Sequence, residues 1–197
     1  RSEHLNPLDV GLAALPYAQA GLFVLGVIIS CSEYVGGQIR TTLTAIPRRG
    51  IARLAATLAL VVVTLPAAAL LVVTTLTVTA LILGDAAHIP DAGIALRSVV
   101  SATIYLTLMV VFSAAIGSMV RRALPAAGGL VLYLVLASPL LLTYDYAVYL
   151  PDIAGYTLWF STAPDNAPSV PIAWLIVCAW TLSAYVVSII VARRRDS

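Results

Sequence analysis

Apolar residues run in five long blocks, at about 8–30, 54–83, 96–120, 124–142 and 170–192. This feature constrains the chain most. A bilayer's hydrocarbon core is about 30 Å thick and takes roughly 20 apolar residues of helix to cross. Each block reaches or approaches that length. In lipid a segment satisfies its backbone N–H and C=O groups internally, so these blocks are expected to be helices. The alternation of about ten residues that marks barrel strands does not occur. Composition agrees: 61% of the residues are hydrophobic and 10% are charged, too few charges to clothe a water-soluble domain of this size. The expected fold is an all-α integral membrane domain over 1–197, a helical bundle of five spans.

The arginines set the expected topology. The chain has no lysine, so its 11 basic residues are all arginine, and they sit at the ends of the blocks. If the first span runs inward, Arg40, Arg48, Arg49, Arg53, Arg121, Arg122 and Arg193–Arg195 all lie inside, leaving Arg1 and Arg97 outside. Positive residues in short loops favour the cytoplasmic side. The expectation is a multi-pass protein of the cell membrane, a bacterial plasma membrane, with a cytoplasmic C-terminus. Within the blocks, Pro66 is an expected kink, and Pro125 suits a first helical turn after the basic Arg121–Arg122 pair. Residues 143–169 are too long for a hairpin turn and carry Tyr144, Tyr146, Tyr149, Tyr156, Trp159 and Phe160. Such rings favour the membrane interface, so short helices dipping into the outer leaflet are expected there. Arg97, Asp145 and Asp152 fall near the outer boundary, where they would either line an exit or simply sit at the interface.

Several chemistries find no support. There is no G-x-x-x-x-G-K-[ST] loop and no lysine to complete one, so the chain is not expected to hydrolyse ATP. His4 and His88 lie outside the spans, and Cys31 and Cys178 fall within apolar blocks as expected small buried side chains. No metal site, catalytic residue or nucleic-acid surface is expected. Ser101, Ser113 and Ser183 read as helix-packing or backbone-bonding residues. The spans lack a clear acidic or basic residue at depth, unlike most ion-coupled carriers.

The informative stretch lies in the expected cytoplasmic segment 32–53. Ile39, Leu43 and Ile46 recur at i, i+4 and i+7, one stripe of a helix, and Pro47 disfavours helix at Ile46. A two-turn amphipathic helix of this kind needs a surface to dock on: lipid head groups or a protein partner.

The run Glu33-Tyr34-x-x-Gly37-x-Ile39-Arg40-x-Thr42-Leu43-x-x-x-Pro47-x-Arg49 resembles the signature between the second and third spans of ABC-2-type transporter permeases. Gln38 stands where that family often has Thr. The resemblance implies a further span upstream of Arg1. It implies a coupling helix that docks on a separate ABC ATP-binding subunit, which holds the ATP and Mg, so that this chain needs no cofactor. By resemblance, Glu33 and Arg40 make charged contacts to that subunit, with Thr41 and Thr42 adding hydrogen bonds. Ile39 and Leu43 supply apolar contact, Gly36 and Gly37 allow close approach, and Pro47 sets the turn into the next span. Tyr34 and Gln38 belong to the same segment, and Arg48 and Arg49 meet either the partner or lipid. The working unit implied is two permease subunits, identical or related, with two ATPases. The implied function is export of an amphipathic small molecule, drug, lipid or peptide. The residues alone leave two alternatives, a non-transporting membrane anchor or assembly subunit and an ion-coupled carrier.

Overall fold

The computed structural model describes residues 7–32, 49–84, 91–160 and 167–195. Among these the secondary structure is helical, with no strand. The helices are α1 (Pro7–Leu12), α2 (Leu15–Ser32), α3 (Arg49–Leu83), α4 (Ala92–Val120), α5 (Ala123–Leu141, with a π-helical turn at Tyr133–Ala137), α6 (Pro151–Trp159) and α7 (Val170–Arg195). Five stretches are long and apolar enough to cross a membrane: Val10–Ser32, Ile51–Leu83, Ala92–Val120, Ala123–Leu141 and Val170–Ala192. This is the pattern of a multi-pass membrane protein, and it matches the five expected spans in number and nearly in bounds.

Proline chemistry explains the departures. The first block is two helices, not one. Pro16 has no N–H to give the Leu12 carbonyl, so the chain breaks at Ala13–Ala14 and restarts at Leu15. Pro66 is carried within α3, which continues to Leu83. Pro139 likewise has no N–H for the Val135 carbonyl. Just before it the helix widens to a π-turn, and the Ser138 N–H bonds Tyr133 O. The Arg121 cap adopts the left-handed conformation, φ 57°, which reverses the chain within two residues and places Pro125 in the first turn of α5 as expected. The last span ends at Ala192 as expected, and α7 itself continues beyond it through Arg195.

The bundle is organised around α4. Its apolar window is 67% buried, against 22–33% for the other four, and α2, α3, α5, α6 and α7 all pack on it. Small residues set the spacing. On α2, a Cβ at Gly26 would strike Ser113 Oγ and lie 2.8 Å from the Val110 carbonyl oxygen. On α4, a Cβ at Gly117 would strike Ser30 Oγ and lie 3.1 Å from Val27 Cα. Backbones this close gain dispersion contacts that lipid cannot match. Large apolar side chains such as Val62, Leu70, Leu81, Ile82 and Leu175 point outward. In water such a surface would aggregate; in a bilayer it meets acyl chains.

The segment after α5 forms a 3₁₀ turn, Asp145–Tyr149, and then α6, the short helices expected there. Nearly every residue of α6 is buried. Gly155 lies against the Tyr105 ring, where an added Cβ would sit 2.5 Å from Cε2. The Trp159 ring centroid is 4.5 Å from that of Tyr105. Tyr105 is about midway along α4, so α6 is inserted well into the bundle. Trp180 Nε1 on α7 donates to the Tyr149 carbonyl at 2.9 Å and holds the turn from the other side.

Candidate functional site

The residues singled out for docking fall almost wholly outside the described residues. Glu33, Tyr34, Gly37, Gln38, Ile39, Arg40, Thr41, Thr42, Leu43, Pro47 and Arg48 all belong to 33–48, and Arg49 opens α3. The expected segment 32–53 is shorter than its sequence bounds, because Ser32 still belongs to α2 and residues 49–53 are already helical.

The two anchors of that segment are well defined. Cys31 Sγ donates to the Gly117 carbonyl at 3.4 Å, fixing the end of α2 to the end of α4. One turn into α3, Arg53 Nη1 donates to the Ser188 carbonyl at 3.2 Å, and Nη2 donates to Ser118 Oγ. One guanidinium thus ties α3 to both α4 and α7. These bonds gather the end of α2, the start of α3, the end of α4 and the last turns of α7 at one end of the bundle. Arg49, Arg53, Arg121, Arg122 and Arg193–Arg195 all belong to that end, whereas Arg97 lies near the start of α4, at the other. Arg53 was expected in the loop, but it reaches inward and lines a cavity of about 50 Å³ bounded by α2, α3, α4 and α7.

A second polar group lies deeper. Asp152 does not line an exit; it is 3% exposed. Tyr133 Oη donates to its Oδ1 and Ser138 Oγ to its Oδ2. The π-turn makes this possible. In a regular α-helix, residues five apart point about 140° away from each other, and the extra residue of the π-turn brings Tyr133 and Ser138 to one side. Nearby, Tyr105 Oη donates to Gln19 Oε1 at 3.0 Å, while Gln19 Nε2 and Trp159 Nε1 are buried with no hydrogen-bond partner among the described residues. A carboxylate away from water is costly unless hydrogen-bonded, and the two hydroxyls meet that need. Sequence inspection missed this cluster. Its signals in the sequence are polar Gln19 and Tyr105 inside apolar blocks and Pro139 next to Ser138.

The serines behave as expected. Ser113 Oγ donates to Val110 O and Ser183 Oγ to Trp180 O, each within its own helix. Both cysteines are free, but only Cys31 is buried. Cys178 is on the outward face of α7, so its expected burial is corrected. No group of His, Cys, Asp and Glu able to hold a metal ion occurs among the described residues.

The class these features define is an α-helical, multi-pass membrane protein with a buried central helix and an arginine-rich end. Comparison with protein-family models, curated proteins and solved structures returns no match.

Proposed function

We propose that the chain is the transmembrane permease subunit of an ABC-2-type exporter. It would move an amphipathic small molecule, drug, lipid or peptide, driven by ATP hydrolysed on a separate subunit that binds ATP and Mg. Two permease subunits, alike or related, would form the path, and the arginine-rich end would face the cytoplasm by the positive-inside rule.

One observation carries this reading. The run from Glu33 to Arg48 links Ser32 to Arg49 in the sequence, and the helices that end and begin there are bonded to the bundle. A force applied to residues 33–48 enters α2 at Ser32 and α3 at Arg49. The Cys31–Gly117 bond and the two Arg53 bonds then pass it to α4 and α7. The docking segment would therefore act on the buried central helix within one turn of entry. An ATPase subunit can bias the membrane domain only if it binds one arrangement of that domain better than another, and a stiff linkage lets such a preference be felt.

The test is purification of the intact complex in mild detergent with identification of its partners. A nucleotide-binding subunit should co-purify, and Glu33→Arg and Arg40→Glu should each reduce its recovery at least about tenfold, as expected for loss of a charge-assisted contact. Recovery and substrate-stimulated ATP hydrolysis unchanged in both variants would remove the docking role. Absence of any nucleotide-binding partner would leave the anchor alternative.

A further inference from the structure

We infer that the cavity beside Arg53 is a binding site for the anionic phosphate group of an amphiphile. The inference needs only that the chain lies in a membrane, and it stands whether or not the protein is an exporter.

The cavity is a built polar space with a cation in its wall. It measures about 50 Å³, and Arg53, Leu60, Val111, Ser118, Tyr185 and Ser188 are among its lining residues. A single water needs about 10–15 Å³ by this kind of measure, so there is room for a group of several heavy atoms. Its chemistry is graded. Arg53, Ser118 and Ser188 form a polar floor next to the Arg121–Arg122 turn. Leu60 and Val111 lie seven residues further along their helices, about 10 Å deeper into the apolar bundle. A head group at the floor with the start of an acyl chain above it matches that gradient.

The available donors select for charge. Ser30, Thr57, Ser118 and Ser188 each give their hydroxyl proton to a carbonyl of their own helix. A guanidinium has five N–H donors, and Arg53 spends two, on Ser188 O and Ser118 Oγ. Arg53 lines the cavity, and none of the described lining residues is acidic. A partly buried guanidinium gains from a counter-charge, and a ligand rich in acceptors and negatively charged supplies one. Phosphate fits best, because the planar fork of arginine matches two of its oxygens at once. Basic pockets between membrane helices on the cytoplasmic side take lipid head groups by the same chemistry.

The experiment is native mass spectrometry of the full chain in dodecylmaltoside, titrated with phosphatidylglycerol and with diacylglycerol of the same acyl chains, which lacks the phosphate. The wild type should retain phosphatidylglycerol about tenfold better, the effect of about one charge-assisted hydrogen bond. Arg53→Gln should reduce phosphatidylglycerol to the diacylglycerol level. Ala114→Leu, which fills the cavity and leaves the guanidinium in place, should do the same and carries the test if Arg53→Gln does not fold. Arg97→Gln, at the opposite end, should change nothing. Competition with millimolar inorganic phosphate separates the sources. Displacement of the lipid means that phosphate itself is recognised, free or esterified; persistence of the lipid adduct means that the site takes the head group together with its chains. Equal retention of the two lipids by the wild type, or wild-type retention by both Arg53→Gln and Ala114→Leu, overturns the site.

Discussion

Gly26 and Gly21 lie five residues apart on α2, and the same substitution should move stability in opposite directions at the two. At Gly26 an alanine Cβ would lie 2.8 Å from the Val110 carbonyl oxygen, and ordinary contact begins at 3.4 Å. Ser113 Oγ, also in the way, can rotate aside by giving up its bond to Val110 O. The carbonyl cannot, because it is part of the backbone of α4. The two helices must therefore part by roughly 0.6 Å, and overpacking of this kind costs about 1–3 kcal/mol. Loss of the serine hydrogen bond adds about 1 kcal/mol. At Gly21 nothing lies within 4 Å of the added carbon, so only helix propensity acts, and alanine gains up to about 1 kcal/mol. Gly26→Ala should thus be less stable than Gly21→Ala by about 3 kcal/mol. The assay is unfolding in mixed dodecylmaltoside and SDS micelles followed by circular dichroism. If the two variants unfold at the same SDS fraction, α2 and α4 are not packed backbone to backbone, and the central place given to α4 is wrong.

Other expectations follow from the same contacts. Gly155→Val should expel α6 from the Tyr105 ring and lower stability by about 2–3 kcal/mol, read by the same titration together with a change in Trp159 fluorescence. Ser138→Ala and Tyr133→Phe each remove one donor from buried Asp152 and should each cost about 1.5–3 kcal/mol; a double variant no worse than either single one would show that the pair does not act on one carboxylate. In a Cys31→Ala, Cys178→Ala background, cysteines at Arg122 and Arg194 should react with an impermeant maleimide from one side of the membrane and a cysteine at Gly93 from the other. Labelling of Arg122 and Gly93 positions from the same side would refute α4 as a span.

The number of spans and most of their limits were legible in the sequence, because bilayer thickness converts directly into length of apolar helix. The local breaks were legible only in kind. Pro16, Pro66 and Pro139 all lack an N–H, yet one separates two helices, one is carried within α3, and one follows a π-turn. Neighbouring helices decide which outcome is stable, and no single segment records its neighbours. Burial was harder still. In water a buried face is the apolar one, but in lipid every face is apolar, so α4 has a mean hydropathy no different from its neighbours'. What distinguishes α4 is that its small and hydroxylic residues face inward: Ser98, Ser101, Thr103, Thr107, Ser113, Gly117 and Ser118 are all buried, whereas of the threonines of α3 only Thr64 is.

The same inversion explains why the two polar sites escaped notice. The sequence places Arg53 in a loop because arginine usually ends a span, and Asp152 at an outer boundary because a carboxylate is costly in lipid. Both rules assume that a charged side chain in the bundle must meet hydrocarbon. Here each meets protein instead. Arg53 is held by a carbonyl of α7 and a hydroxyl of α4, and Asp152 by two hydroxyls that a π-turn swings into line. Holding each one draws partners from helices distant in sequence: Arg53 reaches across 65 and 135 residues, whereas Asp152 reaches back 14 and 19. The nearer pair is the one a sequence reading had some chance of finding, because Pro139 signals a local disturbance just where Tyr133 and Ser138 must align. The distant pair required the whole bundle. It is also the pair that joins three helices at the end of the bundle where Ser32 and Arg49 lie, so under the proposed function a change in residues 33–48 would reach the core through Arg53 as well as through the Cys31–Gly117 bond.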